Sequence, residues 1–115
     1  MVAVNYQDNA LGGSGNVVNN LAALGADVAV LGVVGSGRDG ELLLSILSDL
    51  GLDPTGIIQE TGRPTTKKTR IIAEHQQVLR IDRETKKKVS AETFASIIAL
   101  AEKIIPTVDV ILISD

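Results

Sequence analysis

Three glycines in four residues, followed by an amide, form the stretch with the clearest chemical potential: Gly12-Gly13-Ser14-Gly15-Asn16. Glycine lacks a Cβ, so a ligand can approach the backbone closely. An apolar helical pattern starts immediately afterwards, at Val17. The free N–H groups and partial positive charge of a helix N-terminus suit anions and hydroxyl-rich ligands. Asn16 adds an amide that both donates and accepts. The same residues also fit a flexible turn in which Asn or Ser caps the helix, and on pattern alone both readings stand. The second cluster is basic. Nine of the eleven Lys and Arg residues fall between Arg63 and Lys88, against three acids, so this span carries +6 while the remainder carries −9. A basic field inside an acidic chain favours a small anion over a long polyanion. Lys86-Lys87-Lys88 is better read as a solvated turn. A third candidate, Asp115, follows the apolar run Val108–Ser114, at the carboxyl end of an expected strand, where open α/β sheets place their ligands.

The elements that position these residues follow from periodicity and punctuation. Val2–Tyr6 alternates and predicts a short strand. A helix is expected from Asn16 to Leu24, closed by Gly25. Val28–Val34 is continuous, apolar and rich in β-branched residues, the pattern of a strand buried on both faces of a parallel sheet. A second helix is expected over Asp39–Leu50 with Gly51 as its stop, then a turn at Leu52–Gly56 and a strand from Ile57. Thr65–Ala73 and Gln77–Arg83 alternate apolar and polar residues around a turn at Glu74-His75-Gln76, which predicts an antiparallel hairpin with a basic face. Ser90 is a good N-cap for a helix running to about Ile105, where Pro106 ends it. Helices alternating with parallel-type strands, interrupted by a charged hairpin, give an α/β domain with a small antiparallel flap.

Gly35-Ser36-Gly37-Arg38-Asp39-Gly40 fits the spacing of a dinucleotide-binding turn, with Glu60 twenty residues beyond Gly40 in the place of the ribose-binding acid. Against it, Glu60 follows a weak strand, Asp39 would bring negative charge near a pyrophosphate, and the Gly12 turn is left without a role. The alternative is a tight strand-to-helix turn with Asp39 favourably placed at a helix start.

Composition excludes several classes. Tyr6 and Phe94 are the only aromatics, too few for a nucleic-acid stacking platform. There is no cysteine, and His75 is the only histidine, so thiolate and multi-histidine metal sites are excluded. No apolar run reaches membrane-spanning length and no basic-then-apolar signal pattern opens the chain, so neither nucleic acid nor membrane is expected as a partner and a cytoplasmic protein is the default.

Taken together, Gly12-Gly13-x-x-Asn16, Asn20-Leu-Ala-Ala-Leu-Gly25-Ala, Val33-Val-Gly35 with Gly40, and Leu50-Gly-Leu-Asp53-Pro-Thr-Gly56 resemble the ribokinase-like carbohydrate kinases of the PfkB family. Arg63-Pro-Thr-Thr-Lys-Lys-Thr-Arg70-Ile-Ile-Ala, His75-Gln76-Gln77 and Leu79-Arg80-Ile-Asp82-Arg are closer to one subgroup, the heptose-7-phosphate kinase domains of bifunctional heptose kinase/ADP-heptose synthases. The resemblance implies a Rossmann-like α/β/α domain with a β lid, truncated here. Lid strands would lie at about 2–8 and 57–84, and the α/β core at 12–56 and 90–115. It implies an ATP-dependent, Mg2+-assisted transfer of phosphate to a sugar hydroxyl, that of a heptose 7-phosphate at C1 on the way to lipopolysaccharide core precursors, and a homodimer joined through the lid. Gly12, Gly13 and Asn16 would hold sugar hydroxyls. Lys68 and Arg70, with Gln77 and Arg80, would hold the sugar's existing phosphate, and Asp115 would sit near the sugar.

The family's Gly-Ala-Gly-Asp segment, which supplies the catalytic base and an anion hole, is not among these 115 residues, and neither is its first strand. The expectation is therefore a sugar-binding portion of a kinase, without a catalytic residue of its own, inactive alone and without tight ATP or Mg2+ binding. A non-catalytic lid or dimerisation module and a dinucleotide-binding module are the alternatives. At single residues, Arg80 and Asp82 also fit a surface ion pair, His75 an exposed hairpin tip, and Gln76 and Gln77 turn positions.

Overall fold

A computed structural model describes residues 3–114. They group into two compact units, one formed by residues up to Val28 together with those from Leu112 onward, the other by Ala29–Ile111.

The first unit is built on helix α1, Gly13–Ala23. It starts four residues before its apolar pattern, because Gly12, in extended conformation, serves as the N-cap and the glycines enter the first turn. Val18 is its buried residue, and Gly25 ends it at φ +88, a left-handed conformation that glycine adopts without steric cost.

The second unit holds a parallel pair, β1 (Gly32–Gly35) and β2 (Ile57–Glu60), joined through helix α2 (Arg38–Asp49). Asp39 and Glu41 lie in the first turn of α2, where the helix dipole favours acids, and Gly51 closes it at φ +78. The turn before β2 is set by Asp53, whose carboxylate accepts from the Thr55 N–H at 3.0 Å. Strands β3 (Lys67–Ala73) and β4 (Gln76–Arg83) form the expected antiparallel hairpin, with all their residues exposed. Helix α3, Ala91–Ile104, is capped by Ser90, whose hydroxyl accepts from the Thr93 N–H at 3.1 Å, and it runs into a short 3-10 turn at Ile105–Thr107. Val34, Leu47 and Thr93 are the buried side chains of this unit.

The α/β class expected from the sequence is the class observed, with smaller sheets. Ala3–Tyr6 forms no strand, Val2 lies outside the described residues, and no other residue up to 8 lies in a strand. Val108–Ser114 likewise forms none. Both runs have strand-like composition, but composition does not supply a ladder partner, and unpaired backbone stays solvated. Val4 is 79% exposed and Ile113 94%. The expected strand Val28–Val34 is ordered as β only at its end, where Gly32–Gly35 finds Ile57–Glu60 alongside.

Candidate functional site

In the first unit the structure separates the roles of the three glycines. Gly13 sits at φ +51, a conformation that costs other residues energy. A Cβ at Gly15 would stand 3.1 Å from the Leu11 Cβ. At Gly12 a Cβ would meet nothing within 4 Å, and its φ of −120 is open to any residue. Among the described residues neither packing nor conformation demands glycine at 12, which leaves the backbone of this N-cap position open. No side chain caps α1. Gly15 and Asn16 donate their N–H groups to the Gly12 carbonyl at 2.9 and 3.4 Å, and the Ser14 hydroxyl donates to the Ser114 carbonyl at 3.0 Å. The Asn16 side chain is therefore not the helix cap; Gly12, Gly13 and Asn16 lie exposed at the start of α1. Asp115 lies outside the described residues.

In the second unit the register of the hairpin brings the expected phosphate ligands together. Lys68 pairs with Asp82, Arg70 with Arg80, and Ile72 with Gln77. Directly opposed residues of an antiparallel pair share a face, so Lys68, Arg70, Gln77 and Arg80 stand on one side of the hairpin. Strict alternation would put Gln77 on the other side from Arg80. A bulge between Ile71 and Ile72, which leaves Val78 as an extra residue of β4, moves Gln77 onto the basic face. The adjacent apolar residues Val78-Leu79 are the sequence mark of that break.

Arg70 directly faces Arg80. Like charges in this position weaken a sheet, and an anion between them relieves the repulsion. Arg80 is also held by its neighbour: Nε lies 2.9 Å from Asp82 Oδ1 and Nη2 3.1 Å from Oδ2. Arg80 is thus partly neutralised, whereas Lys68 and Arg70 make no ion pair among the described residues. His75 stands at the hairpin tip with Glu74, both at positive φ.

In the Gly35–Gly40 turn the first and last glycines pack against the chain itself. Gly35 packs against the Arg63 carbonyl and Gly40 against the Gly35 carbonyl, in both cases closer than any Cβ would allow. The Gly35 N–H donates to Thr65 Oγ1 at 2.9 Å. Asp39 pairs with Lys67 at 3.2 Å. Gly35 and Gly40 thus serve the close crossing of residues 63–65, whereas at Gly37 a Cβ would meet nothing within 4 Å.

Glu60, the supposed ribose acid, is engaged elsewhere. Its Oε1 accepts from the Ser90 N–H at 2.7 Å, and its Oε2 lies 3.3 Å from Arg63 Nη1. The Ser90 backbone bond, the Thr93 and Ser90 hydroxyls and the Arg63 guanidinium together hold its pKa down at about 2, against a weaker opposing effect of burial. Arg63 Nη1 also donates to the Lys87 carbonyl at 2.9 Å. Sequence reasoning missed this pair. The only signals were the Glu60–Arg63 spacing and the N-cap at Ser90.

The pfkB carbohydrate kinase family model matches residues 1–115. The chain belongs to that family. Bifunctional protein HldE of Desulfatibacillum aliphaticivorans is 48% identical over 115 residues, which is all of this chain and 24% of that protein. The HldE proteins of Citrifermentans bemidjiense and Sulfurimonas denitrificans are 46% and 41% identical over the same 115 residues, again all of the chain and 24% of each relative. The chain therefore spans about a quarter of the length of these relatives. Among the described residues no helix is long and apolar enough to cross a membrane.

Proposed function

We propose that these residues form the sugar-binding portion of a heptose 7-phosphate kinase, a cytoplasmic enzyme that phosphorylates the anomeric hydroxyl of its substrate. Membership of a carbohydrate kinase family and likeness to HldE proteins support the reaction class. The observation that carries the substrate is the basic face of the hairpin, where Lys68, Arg70, Gln77 and Arg80 stand together in register. A sugar that already bears a phosphate is the small anion such a face suits. The phosphate accepts from Lys68 and Arg70, Arg80 contributes the remainder of its charge, and Gln77 donates an amide N–H. Gly12, Gly13 and Asn16 take sugar hydroxyls through open backbone and one amide, and Asp115 is a further sugar ligand.

Phosphoryl transfer depends on positioning and charge stabilisation more than on covalent chemistry by the protein. The share of that work proposed for these residues is to bind and orient the acceptor. ATP and Mg2+ supply the transferred phosphoryl group and neutralise its charge in the complete enzyme. Among the described residues no group of three carboxylate or histidine ligands lies together, and Gly35 and Gly40 pack against the chain itself. The base belongs to a Gly-Ala-Gly-Asp segment that the 115 residues do not include, so the chain alone does not turn over. We read the other face of the hairpin, with Ile71, Leu79 and Ile81 exposed, as a dimer surface.

The test is a substrate panel with the complete enzyme and ATP. Heptose 7-phosphate is expected to be phosphorylated with a much higher kcat/KM than unphosphorylated heptose. Equal kcat/KM for the two would remove the proposed role of the basic face.

A further inference from the structure

No residue of β3 or β4 is buried, so packing of the hairpin on the rest of its unit does not fix where its basic face stands. What fixes it lies at the root. We propose that Glu60 and Arg63 form a clamp that holds the hairpin at one orientation to the β1–β2 pair, making them positioning residues for the basic face. Glu60 ends β2, just before the chain departs for the hairpin, and its carboxylate accepts from the Ser90 N–H, where the chain has returned. Arg63, on the outgoing segment, bridges Glu60 and the Lys87 carbonyl on the returning one. One carboxylate and one guanidinium thus tie both legs of the excursion to the end of β2. The outgoing leg is also seated on β1, through the Gly35 N–H to Thr65 Oγ1 bond and the Gly35–Arg63 carbonyl contact.

The side chains of Arg63 and Glu60 are 18% and 16% exposed, against 43% and 28% for Lys67 and Asp39. Water and salt therefore screen the root pair less than the other ion pair at the base of the hairpin. Removing either partner leaves the cross-strand bonds of β3 and β4 untouched and frees the hairpin to swing. The consequence for catalysis rests on the kinase proposal; the clamp itself does not.

Electron spin resonance distance measurement on the full chain separates the two. The sequence has no cysteine, so Glu41→Cys and Gln76→Cys place one label on α2 and one near the hairpin tip without further change. A single narrow distance is expected in the parent and a broad distribution in Glu60→Ala and Arg63→Ala. Glu60→Gln keeps an acceptor for Ser90 but loses the charge toward Arg63, and should broaden it less. A second pair inside the hairpin, Gln76→Cys with Arg83→Cys, should stay narrow throughout. A narrow 41–76 distance in both alanine variants overturns the clamp, as does broadening of the internal pair, which would mean that the hairpin had melted. In the complete enzyme the alanine variants should raise KM for heptose 7-phosphate more than they lower kcat, toward the ~100-fold that an ångström of misplacement can cost. Broadened distances with unchanged KM would keep the clamp and count against the kinase role of the basic face.

Discussion

Arg70 and Glu60 represent two different uses of charge. Arg70 faces Arg80 across the hairpin and makes no ion pair among the described residues, an arrangement that is costly alone and favourable around an anion. Glu60 is fully satisfied, by the Ser90 N–H and by Arg63. Its pKa is about 2 in the folded chain, below the ordinary value of 4.5. The folded state thus binds fewer protons than the unfolded state between those values, so Glu60 stabilises the fold above about pH 4.5 and this contribution is lost as pH falls toward 2. Unfolding midpoints measured across that range should decline less steeply in Glu60→Gln than in the parent. The basic residues themselves were legible in the sequence, because Lys and Arg cluster there. The pairing of Glu60 was not, since its partners lie three and thirty residues away and only the fold brings Ser90 back beside it.

At the scale of elements, the hairpin was read from alternation, and its strands form where alternation placed them. Its turn is tighter than expected: Glu74 and His75 alone turn the chain, at φ 52 and 67. Two positive φ values define the turn type that matches hairpin twist, yet neither residue is the usual Asn or Gly. Each non-glycine residue in this conformation costs roughly 1–2 kcal/mol. Glu74→Asn with His75→Gly should therefore stabilise the hairpin by about 1 kcal/mol, slowing amide exchange at its cross-strand bonds about fivefold. The apolar side of the same element makes a different prediction. If it joins two copies, Ile81→Lys should shift the sedimentation of the complete enzyme from dimer to monomer, and an unchanged profile would remove the lid from the interface. Alternation at Val2–Tyr6 and the apolar, β-branched run at Val108–Ser114 predict strands, but neither pattern reveals whether a neighbouring strand exists to pair with; Val2 lies outside the described residues.

Across the whole molecule, family membership follows from landmarks spread from Gly12 to Asp82, and the family model matches all 115 residues. Fold class was legible because the landmarks from Gly12 to Gly56 are glycines and apolar runs that mark the starts and ends of helices and strands. The packing role of Gly35 and Gly40 was not, because the spacing alone fits a dinucleotide site and only the crossing of residues 63–65 shows what stands against these two glycines. The task proposed for the basic face is to grip a phosphorylated sugar by its phosphate. The most direct measurement is KM for heptose 7-phosphate in the complete enzyme carrying Arg70→Ala. A charge-assisted hydrogen bond contributes about 1.5–3 kcal/mol, so KM should rise roughly 10- to 100-fold while KM for unphosphorylated heptose stays as it was. An unchanged KM for the phosphorylated sugar would contradict the phosphate grip.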